Sequence, residues 1–174
     1  MKKVTLTCAH AIVKYLIAQK ILIDGKKEPL FPGVFGIFGH GNVACLGQAL
    51  EENQKDLPTY RGHHEQNMAL TGIGYARGKR RQQIFVATSS VGPGATKMVT
   101  AAAVAMSNRL PILFLSGDTY ANRMPDPVLQ QVEHFKNPGI TANDAFKPVT
   151  RYFDRITRPE QIIQSFPAAV QTML

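Results

Sequence analysis

The stretch QIFVATSSVGPGATK, residues 83–97, passes from one backbone pattern to another within a single loop. Its first part, 83–88, is rich in β-branched and aromatic side chains, which predicts a buried β-strand. A Gly-Pro-Gly turn follows at 92–94, and the alanine-rich segment 95–106 predicts a helix. A strand that leads through a short turn into a helix is typical of an α/β fold.

The same alternation of strand and helix runs through the rest of the chain. Short apolar runs predict strands, and apolar side chains at helical spacing predict the helices between them. The strands are predicted at 34–38, 57–60, 83–88, 111–116 and 149–153, and the helices at 7–21, 43–53, 65–77, 95–106, 128–135 and from Pro159 onward. We expect a mostly parallel central sheet with right-handed crossovers and helices on both faces.

Local signals add details to this outline. Residues 22–33 contain glycine, lysines and two prolines, which predicts a loop. Asn42 precedes a helical pattern and is expected to act as its N-cap. Residues 117–127 predict a polar loop, and Pro167 is expected to interrupt the last helix.

Size and composition are typical of one globular domain with a sizeable core. The chain has 174 residues, of which 44% are hydrophobic and 18% charged. No stretch reaches the roughly 18 consecutive apolar residues of a membrane helix, and the start lacks the apolar core of a signal peptide. We therefore expect a cytoplasmic protein. Because the amphipathic pattern stops at Leu174 in mid-helix, we expect 1–174 to be a single N-terminal domain from a longer chain.

The two cysteines, Cys8 and Cys45, lie far apart in sequence and lack the spacing of metal ligands. Both fall in predicted helices with apolar patterning, where a free cysteine usually behaves as a small buried hydrophobe. We expect both to be reduced and buried, without a disulfide, as in a cytoplasmic protein.

The net charge of +8 raises the possibility of nucleic-acid binding. The basic residues, however, are scattered, and aromatic side chains do not alternate with them to form a stacking platform. The densest basic run, 77–81, is typical of a helix end followed by a turn, where cations complement the helix dipole. We expect no nucleic-acid partner.

Three loops, 39–42, 61–65 and 89–94, follow predicted strands. In parallel sheets ligands bind beyond the carboxyl ends of the strands, so these loops define a candidate site. Glu65 opens a helix directly after one of them. Its carboxylate either stabilises the positive end of the helix dipole or addresses a ligand in the crevice, and its position favours the second role.

Other residues near these loops have two interpretations each. The turn at 92–94 either brings backbone amides close to a phosphate or simply joins strand to helix, and it matches neither a P-loop nor GxGxxG. His40, His63 and His64 do not have the spacing of zinc ligands, so we expect no metal there and favour neutral histidines that bond a polar substrate.

One further pattern looks like a binding motif but is incomplete. Gly117-Asp118-Thr119 with the later Asn143-Asp144 is faintly similar to a diphosphate- and magnesium-binding pattern of Gly-Asp-Gly and Asn-Asn. The second glycine of that pattern is missing, and its last asparagine is replaced by Asp144. We predict that these residues do not bind magnesium.

Four segments together resemble the acetolactate-synthase-like thiamine-diphosphate enzymes: 35–42, 64–69, 88–96 and 105–117. The resemblance extends over nearly the whole chain, and these segments follow one another in the order found in that family. The resemblance implies an N-terminal domain that binds the pyrimidine of thiamine diphosphate. It also implies that a C-terminal domain binds the diphosphate and Mg²⁺, and that the active site forms between subunits of a homodimer or homotetramer.

The resemblance also assigns roles to single residues. Glu65 matches the glutamate that bonds the ring nitrogen of the aminopyrimidine and favours its imino form, which removes a proton from the thiazolium ring. Gly39, Pro93 and Lys97 match positions that line the pyrimidine. The common family pattern has asparagine at the position of Lys97, so this chain departs from the pattern there.

Three segments resemble one branch of the family: 23–29, 125–131 and 147–161. This branch hydrolyses a carbon–carbon bond in a cyclic polyol-dione during inositol catabolism, which implies a small-molecule substrate of that class. A decarboxylase or carboligase that acts on 2-oxo acids is the alternative enzyme, because Glu65 and the Gly-Pro-Gly turn serve the shared cofactor. A non-catalytic α/β ligand-binding domain is the alternative from another class.

Overall fold

The computed structural model describes residues 3–122, 129–130, 132, 134, 136–137 and 139–174. Within these residues, short strands alternate with helices along the chain. In chain order the elements are α1 (Cys8–Ala18), β1 (Lys20–Ile23), β2 (Lys26–Pro29), β3 (Val34–Ile37), a π-helical turn (Val43–Gly47), α2 (Gln48–Glu52), β4 (Thr59–Arg61), α3 (Glu65–Gly78), β5 (Val86–Ser89), α4 (Pro93–Lys97), α5 (Val99–Asn108), β6 (Leu113–Ser116), two 3₁₀ helices (Ala142–Val149 and Pro159–Gln161) and α6 (Ile162–Met173).

The central sheet has the strand order β4-β3-β5-β6, and all its neighbouring strands are parallel. Successive side chains of a strand point to opposite faces, so Val86 and Ala87 of β5 belong to two different cores. The first core contains side chains of α1, α2 and α6, and the second contains side chains of α3 and α5. The predicted α/β fold with helices on both faces is confirmed.

The order of the strands creates a switch in the direction of the chain. The connection after β3 leads to α2 in the first core, whereas those after its neighbours β4 and β5 lead to α3 and α5 in the second core. In open α/β sheets, ligands bind at such a switch point beyond the carboxyl ends of the strands. The loops that follow β3, β4 and β5 therefore enclose the candidate site.

The segment 22–33, predicted as a loop, contains an antiparallel hairpin of β1 and β2. Asp24 and Gly25 form its turn with φ angles of 50° and 78°. Both are left-handed values that a tight two-residue hairpin turn requires. The prediction was wrong because the Asp-Gly turn outweighs the low strand propensity of the lysines and proline that follow it.

The strand predicted at 149–153 is absent from the described residues, and the prediction was wrong. A 3₁₀ helix ends at Val149, and the residues that follow it have no strand partner. This helix starts at a capping box in which the backbone N–H of Thr141 donates to Asp144 at 2.7 Å. Phe146 is buried in the second core, which favours the helical turn over an extended segment.

The last helix differs from the prediction in one respect. After the 3₁₀ turn at Pro159–Gln161, α6 continues through Pro167 without interruption. Proline removes one helical hydrogen bond, but its neighbours Phe166 and Val170 are buried in the first core. Their packing holds the helix together. The helix predicted at 128–135 lies largely outside the described residues.

Both cysteines are free, as predicted, but their burial was predicted wrongly. Cys45 is exposed, and it lies in the π-helical turn, which has no buried residue. Cys8 is half-buried, and burial, together with the nearby Cys45, raises the pKa of its thiol. No helix in the described part of the chain is long and apolar enough to span a membrane.

Candidate functional site

The loops after β3, β4 and β5 begin side by side at one edge of the sheet. The N–H of Gly62 donates to the carbonyl oxygen of Gly36 at 3.1 Å, which continues the pairing of β4 with β3 beyond the strand. On the other side of β3, β5 runs parallel to it, and Ile37 lies opposite Ser89 where both strands end. The three predicted loops therefore come together, as the sequence indicated.

Asn42 joins the loop after β3 to the end of β5. Its Oδ1 accepts the N–H of Gly39 at 2.9 Å, and its Nδ2 donates to the carbonyl oxygen of Ser89 at 2.9 Å and to Thr88 Oγ1 at 3.4 Å. The side chain makes no capping hydrogen bond to the following helical turn. Asn42 thus occupies the N-cap position, as predicted, but its amide bonds the loop after β3 and the end of β5 instead of the helical turn. Sequence reasoning missed this contact, which joins residues that are 46 and 47 positions apart.

Glycines allow the loops to approach closely. A Cβ atom on Gly39 would overlap Ser90, and one on Gly94 would lie 2.7 Å from Ser90 Oγ and 3.2 Å from Glu65 Oε1. Gly92 has a φ of +71°, a value that other residues rarely adopt. The Gly-Pro-Gly segment therefore turns tightly against the Glu65 carboxylate.

Glu65 is the first residue of α3 and is buried, with 8% of its surface exposed. The positive end of the α3 dipole favours a carboxylate at this position. Its Oε2 lies 3.3 Å from Nζ of Lys97, whose side chain is about half exposed. The carboxylate thus lies at the start of α3, in contact with Lys97 of α4, and its Oε1 faces Gly94 of the same helix α4.

The other predicted site residues differ in their position and in their exposure to solvent. Pro93 is the first residue of α4 and is exposed, and Lys97 is in the last turn of the same helix. His40 and His63 are exposed on their loops. His64 directly precedes α3, and its buried Nδ1 has no hydrogen-bond partner among the described residues. In the described part of the chain, no group of three or more His, Cys, Asp or Glu side chains could hold a metal ion.

The residues of the incomplete motif at 117–119 and 143–144 form a network of ion pairs and hydrogen bonds with Arg155. Arg155 Nε lies 2.9 Å from Asp118 Oδ2, and Arg155 Nη2 lies 3.1 Å from Asp144 Oδ1. Asn143 Nδ2 donates to the carbonyl oxygen of Gly117 at 2.8 Å. These contacts join β6 to the segments at 141–155. Arg155 is the residue of this network that the sequence analysis did not single out.

Comparison with known proteins matches this fold and site to one family. Residues 9–137 match the family described as thiamine pyrophosphate enzyme, N-terminal TPP binding domain. Three curated relatives are named 3D-(3,5/4)-trihydroxycyclohexane-1,2-dione hydrolase. Those of Clostridium tetani and Geobacillus thermodenitrificans are each 50% identical over 173 residues, and that of Bacillus subtilis is 49% identical over 172 residues.

Each alignment covers 99% of this chain but only 27% of the relative. The chain thus spans about a quarter of the length of these proteins. The match to the family extends over most of the chain and includes the loops of the candidate site. This chain belongs to the thiamine pyrophosphate enzyme family, in which it corresponds to the N-terminal TPP-binding domain.

Proposed function

We propose that this chain is the pyrimidine-binding domain of a thiamine-diphosphate-dependent hydrolase that opens the ring of trihydroxycyclohexane-1,2-dione. The observation that carries the proposal is the 50% identity to hydrolases of that name across nearly the whole chain. In this reaction the bond between the two carbonyl carbons of the ring breaks. Water supplies a hydroxyl to one of them, which becomes the carboxylic acid, and a hydrogen to the other, which becomes the aldehyde of open-chain 5-deoxyglucuronate.

The residues of the site fit an aminopyrimidine ring. A Cβ atom on Gly94 would fill space beside Ser90 Oγ and Glu65 Oε1, so the glycine leaves room next to a nearly buried carboxylate. We assign Glu65 to the ring nitrogen and Gly39, Pro93 and Lys97 to the lining of the pyrimidine site. A carboxyl group and a ring nitrogen can share one proton, which suits a residue that promotes tautomerisation.

When bound, the cofactor supplies the electron sink for breaking the carbon–carbon bond. The protein's contribution is to hold and orient. Glu65 would share a proton with the ring nitrogen, and the positive end of the α3 dipole favours the carboxylate that remains when this proton is on the ring. Asn42 fixes the loop that contains Gly39 against β5, which keeps one wall of the site in place.

The rest of the active site is assigned to parts outside this domain. We propose that a second domain binds the diphosphate and Mg²⁺, and that the site is completed between subunits of a homodimer or homotetramer. The greater length of the relatives supports this assignment. So does the pairing of Asp118 and Asp144 with Arg155, which occupies these carboxylates. On this account residues 1–174 form one domain of a longer protein and are inactive alone.

Further parts of the proposal concern the surroundings of the protein. The two free cysteines support a reducing, cytoplasmic location.

His40 and His63 are exposed on the site loops and are proposed as substrate contacts. The hairpin of β1 and β2 lies where the sequence resembles the hydrolase branch, which favours this branch over decarboxylases of 2-oxo acids.

The test offers two substrates to the complete protein with thiamine diphosphate and Mg²⁺. One is the cyclic trihydroxy-dione and the other is pyruvate, and products are followed by mass. We expect the dione to gain one water and pyruvate to remain. Loss of carbon dioxide from pyruvate with the dione unchanged would instead assign the protein to the decarboxylases.

A further inference from the structure

The ion pair between Glu65 and Lys97 connects the proposed cofactor contact to a half-exposed cation. Glu65 Oε2 lies 3.3 Å from Lys97 Nζ, and the side chains are 11% and 49% exposed, respectively. Among the described residues, Lys97 is the cation within ion-pair distance of this carboxylate. In this pair the acceptor, Glu65, is nearly buried, whereas the donor, Lys97, is accessible to water.

The position of Lys97 has a simple alternative explanation. A lysine in the last turn of a helix is favoured by the negative end of the helix dipole whether or not it has a partner. In that case its ammonium would extend into solvent. Here Nζ is instead directed to the carboxylate at the start of α3, a different helix. The dipole of α4 does not account for this contact.

The ammonium and a pyrimidine nitrogen require the same carboxyl group in different states. Lys97 stabilises an ionised carboxylate, which only accepts hydrogen bonds. An unprotonated ring nitrogen is also an acceptor, so a bond between it and Glu65 requires a proton between them. A carboxyl group that shares a proton with the ring through either oxygen carries less negative charge, so it attracts the ammonium less strongly.

Displacing Lys97 requires little energy. An ion pair with one half-exposed partner contributes only modestly, because water screens it and the flexible side chain loses entropy when held. Glu65, by contrast, is fixed by its place at the start of α3 and by the close approach of Gly94. The lysine is therefore the partner that moves.

We propose that Lys97 is a positioning residue that holds the Glu65 carboxylate in place through this ion pair, and that competes with the aminopyrimidine of the cofactor for it. The inference rests on the proposed role of Glu65 as the cofactor contact. Before the cofactor binds, Lys97 compensates the charge of the nearly buried Glu65 carboxylate. This contact has to be given up on binding, so Lys97 lowers the affinity for the cofactor. Its removal is expected to tighten cofactor binding.

The test measures the dissociation constant of thiamine diphosphate, at fixed Mg²⁺, for the complete protein by titration calorimetry. Lys97→Gln removes the cation, and Lys97→Arg keeps it. Lys14→Gln is the matched control, because Lys14 is exposed on α1 and its loss changes the net charge equally. Each substitution is also made in a Glu65→Gln background, which has no carboxylate to compete for.

Lys97→Gln is expected to lower the dissociation constant about two- to fivefold. Lys97→Arg and Lys14→Gln are expected to leave it near the wild-type value. The effect of Lys97→Gln should disappear in the Glu65→Gln background and shrink at high salt, which screens the ion pair. An unchanged or increased constant in Lys97→Gln, or an equal decrease in both backgrounds, would overturn the proposal.

This outcome is separate from the fate of the proposed hydrolase activity. If the dione stays unopened while Lys97→Gln still tightens binding, the substrate assignment fails and the role of Lys97 stands. If the dione is opened while the dissociation constant does not change, the role of Lys97 fails and the hydrolase assignment stands.

Discussion

Asn42 donates from Nδ2 to the carbonyl oxygen of Ser89 at 2.9 Å, which fastens the loop after β3 to the end of β5. The same side chain accepts the N–H of Gly39, so a single amide orders both walls of the crevice at the switch point. Asn42 is itself buried, with 7% of its surface exposed.

Asn42→Ala is expected to lower the free energy of unfolding by about 1–3 kcal/mol, because it removes the buried hydrogen bond to Ser89 and takes from the Gly39 N–H its side-chain acceptor. The measurement is urea unfolding of the complete protein, followed by circular dichroism. Asn67→Ala serves as the control, because Asn67 is exposed in the first turn of α3. Equal midpoints for the two variants would show that the Asn42 contacts do not stabilise the fold.

Gly94→Ala is expected to weaken thiamine diphosphate binding about tenfold or more. The added Cβ would lie 2.7 Å from Ser90 Oγ and 3.2 Å from Glu65 Oε1, so the carboxylate must shift. Calorimetric titration measures the change. Gly74→Ala is the control, since a Cβ there meets nothing within 4 Å. It should bind normally and stabilise α3 by up to about 1 kcal/mol. Normal binding by Gly94→Ala would contradict the assigned site.

Much of the fold followed from local patterns. The parallel strands and the helices of both cores were predicted because burial on each face leaves a clear periodicity. The hairpin of β1 and β2 was missed because its lysines hide the strand pattern, although Asp24-Gly25 is a strong turn signal. A strand was wrongly predicted at 149–153 because this segment contains apolar residues that pack against the second core. Periodicity alone does not distinguish a buried strand from such a segment at the end of a 3₁₀ helix.

The site was predictable to a smaller extent. The position of Glu65 after a strand and at the start of a helix indicated the crevice, and its role came from the family resemblance. Contacts across the crevice depend on tertiary packing. Neither the amide of Asn42 between two loops nor the ion pair of Glu65 with Lys97 has a signal in the spacing of residues.

Ser165→Ala is expected to reduce the dependence of stability on acid pH. The hydroxyl of Ser165 donates to Asp154 and lowers the pKa of this carboxyl below its ordinary value of 3.8. A depressed native pKa adds stability above the unfolded pKa, and this contribution is lost as pH falls through the native pKa. The variant should therefore lose less stability than the wild type between about pH 6 and about pH 3.

Urea midpoints at the two pH values measure this difference. Ser107→Ala is the matched control, since Ser107 is exposed and its hydroxyl bonds only groups of its own helix, the carbonyl oxygen of Val104 and the side-chain amide of Asn108. A loss of stability toward acid pH that is as large in Ser165→Ala as in Ser107→Ala would contradict the coupling of Ser165 to Asp154.

The central claim is that Glu65 activates thiamine diphosphate in a hydrolase of the cyclic dione. The most direct measurement compares ring opening by the wild type and by Glu65→Gln in the complete protein, with thiamine diphosphate and Mg²⁺ at saturation. Glutamine fills the same space but does not exchange a proton, so we expect the rate to fall by at least about a hundredfold with an unchanged circular dichroism spectrum. Ring opening by Glu65→Gln at the wild-type rate would contradict the account.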